Sequence, residues 1–212
     1  MKKNSLLLIS ERGAEGPSIL IDIASSISDM VIWVASEPPD LISSILNLYE
    51  IQDRVSVLSL IQSSKYRHVN VNNLSEVGIL ISKLSEGMED FVVVLSAIPE
   101  LLLIHGLEKT FMFLMNVIGK TTSQNRKFFG SLIKGAQSER EEIMISRLFS
   151  IILRYSKTLT GGKWERKLIF ETPVEGLEKD EVALGLNRLK LSIPLETKEA
   201  ILRELKNQSL DY

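Results

Sequence analysis

SLLLISERGAEGPSILIDIASSIS, residues 5–28, decides how the rest of the chain is read. Ser5–Ser10 is apolar almost throughout, as a central strand buried on both faces must be. Gly13 to Gly16 is a turn. Pro17 suits the first residue of a helix, where a missing N–H costs nothing. Ile19, Ile23 and Ile27 then recur at helical spacing toward Ser28. A buried strand, a short turn and an amphipathic helix open a parallel α/β domain.

The same alternation continues outward. Strands are expected at Met30–Ala35, Val55–Leu60, Phe91–Leu95 and Phe128–Ile133. Helices are expected from Asp40 to Glu50, after Asn72 or Asn73 through Gly87, within Ser96–Thr122, and at Glu139–Ile145. Ile61–Asn70 reads as a loop. Ser146–Ser156 and Trp164–Glu171 read as two strands of a hairpin that extends one edge of the sheet, with Gly161-Gly162 in the connection. Beyond them come an acidic stretch, Glu175–Glu181, a strand at Arg188–Ile193 and a helix from Thr197 to about Asn207. The expected fold is a three-layer α/β/α domain with a mainly parallel sheet and a C-terminal β-hairpin. Residues 1–174 form the core, including the hairpin at 146–171. Residues 175–212 form an extension packed on that core or on a neighbouring subunit.

Composition narrows the chemistry. The 212 residues are 44% hydrophobic and 25% charged, with a net charge of −2, which is globular and not disordered. With no cysteine, a disulfide scaffold, a thiolate metal site and a cysteine nucleophile are excluded. Two histidines leave little for a metal site, and none is expected. His68 reads as a solvated loop residue and His105 as a polar group near a helix start. Lys2 and Lys3 before Leu6–Ile9 imitate a secretion signal, but Glu11-Arg12 ends the run. The longest apolar run elsewhere, Ile98–Ile104, falls far short of the roughly 18 residues of a membrane span. A soluble cytoplasmic protein without membrane contact is expected.

The first turn carries the most informative departure. In many nucleotide-binding α/β proteins this turn reads G-x-x-x-x-G-K followed by Ser or Thr. Its amides cradle phosphates, its lysine neutralises them and its hydroxyl holds magnesium. Set in that frame, Glu11–Ser18 keeps Gly16 and Ser18. Glu11 replaces the first glycine and Pro17 replaces the lysine. An acid then stands where phosphates would lie, and proline removes both a cation and an amide donor. The alternative is that Gly13, Gly16 and Pro17 merely form a strand–helix turn. Downstream, the strand Phe91–Leu95 is followed by Ser96, where an aspartate would hold the magnesium through water.

The order of elements resembles the RecA/KaiC-like ATPase superfamily, especially archaeal KaiC-like single-domain proteins and RadA paralogues. Met30–Glu37 (MVIWVASE) carries the resemblance, as do Phe91–Ser96 with the 97–120 helix region and Arg126–Ile133 followed by Gly135-Ala136-Gln137. It covers about residues 5 to 172. It implies a RecA-like domain with a degenerate phosphate loop (Glu11, Gly13, Gly16, Pro17, Ser18) and a degenerate magnesium position (Ser96). In that family a carboxylate after the second strand activates the attacking water, and Glu37 stands there. Read alone, Glu37 is a polar residue ending a strand. The resemblance further implies side-by-side assembly, as a homo-oligomer or with a RecA/KaiC-like paralogue. The expected function is that of a non-catalytic pseudo-ATPase, regulatory or scaffolding, with no cofactor.

Charge supplies the rivals. Residues 1–119 hold 8 Lys and Arg against 14 Asp and Glu, whereas residues 120–167 hold 11 against 4. Lys134, Arg140, Lys157, Lys163, Arg166 and Lys167, with Tyr155 and Trp164, suit a nucleic-acid contact of the recombinase-paralogue kind. Glu139, Glu141 and Glu142 oppose it, and suit instead the solvated first turn of a helix. A weak ATP-binding protein with a rearranged loop is the third reading. The helix around Met112 and Met115 is apolar nearly all round, which marks a buried element or a subunit interface.

Overall fold

The computed structural model describes residues 4–123, 125–177, 179–187 and 190–207. Alternation along each strand divides the core in two. Strand β1 (Ser5–Ser10) sends Leu6 and Leu8 to one face of the sheet, and Leu7 and Ile9 to the other. Strand β2 (Val31–Ala35) splits in the same way, with Val31, Trp33 and Ala35 opposite Ile32 and Val34. The remaining strands are β3 (Val55–Ser59), β4 (Arg67–His68), β5 (Phe91–Leu95), β6 (Arg126–Ile133), β7 (Ile151–Thr160), β8 (Lys163–Phe170), β9 (Glu181–Ala183), β10 (Gly185–Asn187) and β11 (Lys190–Ser192).

Nine of these strands form one sheet in the order β4-β3-β2-β5-β6-β1-β7-β8-β9. It is parallel from β4 to β7 and antiparallel from there to β9. Helices α1 (Glu15–Ile27), α2 (Pro39–Tyr49) and α6 (Leu195–Asn207) cover one face. Helices α3 (Leu74–Leu84), α4 (Ile98–Thr121) and α5 (Glu139–Ser146) cover the other. Each fully buried aliphatic side chain stabilises by roughly 1.5–3 kcal/mol. The sheet therefore stands on its strands, and the loops at its edge are free to change without unfolding it.

Local signals act as their chemistry dictates. The Asn73 side chain caps α3 by accepting from the Glu76 amide at 3.2 Å. Ser138 and Glu141 form a reciprocal capping box on α5. Gly161 and Gly162, with φ of 57° and 78°, make the two-residue turn between β7 and β8.

Four expectations need correction. Ile61–Asn70 is not all loop, because Arg67 and His68 add an edge strand beside Leu58 and Ser59. Residue 146 belongs to α5, and β7 begins only at Ile151. The hairpin extends the sheet as expected, but the acidic tail, read without a strand, contributes β9 alongside β8. Finally, α4 runs 24 residues, and is the one helix among the described residues long and apolar enough to cross a membrane by length and composition. It bends at Gly106, where φ is 73°, and Leu101, Leu102, Phe113, Leu114, Val117 and Ile118 pack it on the sheet. Its scattered Glu100, His105, Glu108 and Lys109 hid that length in the sequence. Of the strand expected at Arg188–Ile193, residues 188 and 189 lie outside the described residues.

The described part of the tail packs on this same chain. Leu191, Ile193, Ala200, Ile201 and Leu205 join the core beneath α1, and Lys198 pairs with Asp22 at 2.7 Å.

Candidate functional site

In an open parallel sheet, ligands bind beyond the carboxyl ends of the strands. Here that edge carries Ser10 to Gly16 after β1, Glu37 after β2, Ser96 after β5 and Lys134 after β6.

Gly13 turns the chain with φ of 126°, a conformation that side chains disfavour. Gly16 is required by packing, because a Cβ there would lie 2.3 Å from Ser10 Oγ. Helix α1 then starts without a side-chain cap, and Pro17 brings no N–H. The Ser18 hydroxyl donates back to the Ala14 carbonyl at 2.8 Å, and the Ser18 amide bonds the same oxygen. The Ser18 hydroxyl is thus engaged by its own backbone.

Glu15, in the first turn of α1, is the residue the sequence did not single out. Its carboxylate accepts from Arg166 Nε at 3.0 Å and from Lys157 Nζ at 3.2 Å, both reaching in from the β7–β8 hairpin. Burial pushes the Glu15 carboxyl up, and the hydrogen bonds from Arg166 and Lys157 more than offset it, so the group is held below its usual value. The Tyr155 hydroxyl is buried beside Glu15. Burial and the negative charge of Glu15 push that phenol well above its ordinary range.

A second cluster joins Glu37 and Ser96, which were placed at this edge for separate reasons. Strands β2 and β5 are neighbours, with Val34 opposite Leu95. Ser96 Oγ donates to Glu37 Oε2 at 2.7 Å and accepts from Trp33 Nε1 at 3.0 Å. Burial pushes the Glu37 carboxyl up to about 7, aided by the like charge of Glu100 and opposed by the hydrogen bond from Ser96. Glu100 Oε2 is itself buried without a hydrogen-bond partner among the described residues. Glu37 can therefore hold or release a proton near neutrality. Sequence reasoning missed the contributions of Trp33 and Glu100. A tryptophan inside a strand that ends in Ser-Glu was the only available hint.

Four of the six candidate nucleic-acid cations already face carboxylates of this chain. Lys157 and Arg166 serve Glu15, Lys134 reaches Glu11 at 3.3 Å, and Lys167 reaches Glu181 at 2.8 Å. Lys157 also lies over the Trp164 ring, 4.9 Å from its centroid. Among the described residues Arg140 and Lys163 have no ion pair. His68 is exposed in β4, and His105 Nε2 meets the Val71 carbonyl at 2.8 Å. No three His, Asp or Glu side chains converge as a metal site among the described residues.

The sheet order, the two helical layers and the turn between β1 and α1 define a RecA-like α/β/α domain. Among solved structures, the chain is similar to the KaiC-like protein PH0186 of the hyperthermophilic archaeon Pyrococcus horikoshii OT3. The TM-score is 0.68 at 10% identity, over 90% of this chain and 89% of that one. It is also similar to the uncharacterized protein PH0321 of Pyrococcus horikoshii, solved with an unknown peptide, at TM-score 0.62 and 13% identity over 92% and 93%. A third is the flagellar accessory protein FlaH of Methanocaldococcus jannaschii, at TM-score 0.62 and 9% identity over 91% and 89%. At these identities the likeness is one of fold. No protein-family model matches the chain, and no curated protein matches its sequence.

Proposed function

We infer that this chain is a non-catalytic RecA/KaiC-like protein, a pseudo-ATPase that works as a regulatory or scaffolding subunit. The observation that carries the reading is Glu15. A helix N-terminus favours an anion, and here the anion is built into the first turn and already neutralised by Lys157 and Arg166.

The residues around it do not fit a triphosphate with magnesium. Glu15 already occupies Lys157 and Arg166, Glu11 adds a further carboxylate, Pro17 supplies neither cation nor amide, Ser18 is bonded inward, and Ser96 has given its hydroxyl to Glu37. A domain of this kind acts through its outer faces, on its own copies, on a paralogue of the same fold or on another protein. The peptide bound to one neighbour of this fold is in keeping with protein partners. The nucleic-acid reading is weaker, since four of its six cations already serve carboxylates of this chain.

A thermal-shift series with ATP and magnesium tests the reading. A ligand present at ten times its Kd adds about 1.4 kcal/mol, roughly 3–6 °C of Tm at this size. The expected result at millimolar ATP is no shift. A rise of several degrees that is lost when Gly16 or Ser18 is altered would overturn it.

A further inference from the structure

We propose that the groove between α3 and the second half of α4 is a docking site for a partner's amphipathic helix whose apolar anchors are flanked by carboxylates. This goes beyond the reading of the sheet edge and does not depend on it. ATP binding at the β1–α1 turn would leave the groove's behaviour unchanged.

The groove encloses about 740 Å³ and lies away from the sheet edge that carries Glu15 and Glu37. Its floor is Phe113 and Val117, on the buried face of α4. Its walls are Ile79 and Met112, at 53% and 47% exposure, which is high for side chains of this type. Gly78 keeps the α3 wall low, so the Phe113 ring edge is reached from outside. Met112 brings a flexible, polarisable surface that adapts to different anchors.

Charge chooses the occupant. Lys83, Lys109 and Lys120 line the groove, all exposed, and no acid lines it. Among the described residues none of the three lysines has an ion pair. They sit in or beside the half of the chain where acids outnumber bases 14 to 8. An apolar trough with an unpaired basic rim is complementary to carboxylates on either side of an apolar stripe. Helix α3 has 11 residues, about 16 Å at 1.5 Å per residue. It can accommodate two to three turns of a partner helix, with anchors at i, i+4 and i+7.

The test uses the full chain and three dye-labelled peptides read by fluorescence anisotropy. One carries leucine anchors at that spacing flanked by glutamates. The second replaces each glutamate with lysine, and the third scrambles the first. The acidic peptide is expected to bind about tenfold or more tightly than either control, and to weaken with added salt. The triple variant Lys83→Glu, Lys109→Glu, Lys120→Glu is expected to transfer the preference to the lysine peptide. Only a folded groove can show that gain. Equal binding of all three peptides, or unchanged preference in the triple variant, overturns the proposal. So does capture of anionic vesicles in place of the acidic peptide. A wild-type dimer that the triple variant dissociates in sedimentation assigns the groove to a second copy and also overturns it.

Discussion

Glu15 and Glu37 stand at the same end of one sheet and reach opposite states. Glu15 meets a guanidinium and an ammonium and is held ionised below its usual range. Glu37 meets a serine hydroxyl and backbone amides, with Glu100 nearby, and is pushed up to about 7. Glu37 is drawn much further out of water than Glu15, and only Glu15 has cations beside it to offset that cost. A negative charge in the first turn of α1 is therefore stable because the hairpin folds back to neutralise it, whereas the carboxylate after β2 has no such support.

The strongest way to break this contrast is Glu15→Ala. It leaves Arg166, whose side chain is 11% exposed, and Lys157, at 28%, without their carboxylate partner beside a helix N-terminus. Exposed pairs are worth under about 1 kcal/mol and broken buried ones about 3–5 kcal/mol. This intermediate case should cost about 2 kcal/mol in a chemical-denaturation measurement at pH 7. The sign follows from the lowered value of Glu15. Its contribution is full above the ordinary carboxylate pKa and is lost as pH falls through the folded value, so the deficit of the variant should shrink in acid. Glu15→Gln sharpens the point, since the freed cations should let sulfate stabilise the variant and not the wild type. A variant as stable as the wild type would show that the hairpin does not need Glu15.

Glu37 runs the other way. Its folded pKa lies above the unfolded value, so its contribution is full at pH 4.5 and is lost as pH rises through about 7. Each pH decade of displacement is worth about 1.4 kcal/mol, which sets a ceiling of about 3 kcal/mol between pH 5 and 8. The wild type should lose stability over that window relative to Glu37→Gln, with the variant the more stable at pH 8. Asp22, raised by burial despite Lys198, pulls in the same direction in both proteins and cancels from the difference. Parallel stability curves for the two proteins would place Glu37 in ordinary solvent.

The strands were legible because apolar runs buried on both faces leave no polar residue to confuse the pattern, as in Leu6–Ile9 and Phe91–Leu95. The hairpin was legible because two adjacent glycines meet the positive φ values of a tight turn. Arg67 and His68 were not, since a two-residue edge strand carries no periodicity. At the site, Glu37 and Ser96 were found separately from chain order, but the hydrogen bond joining them depends on β2 lying beside β5. Glu15 escaped notice because its role comes from residues more than 140 positions away. The basic count over residues 120–167 could not show the ion pairs for the same reason: composition records a charge and cannot record what it already faces.

The smallest expected effect tests that last point. Arg140 and Lys163 are the two candidate cations exposed and without an ion pair among the described residues. Reversing both, Arg140→Glu with Lys163→Glu, should change stability by less than about 0.5 kcal/mol each. Lys157→Glu, six residues from Lys163, sets an acid against Glu15 and should cost measurably more. The anisotropy of a labelled single-stranded oligonucleotide should be the same with wild type and double variant. Tight wild-type binding that falls steeply with salt and disappears in the double variant would return the hairpin to the nucleic-acid reading. Two cations would then be acting where six were expected, and the salt slope, close to one per phosphate contact, would report that number directly.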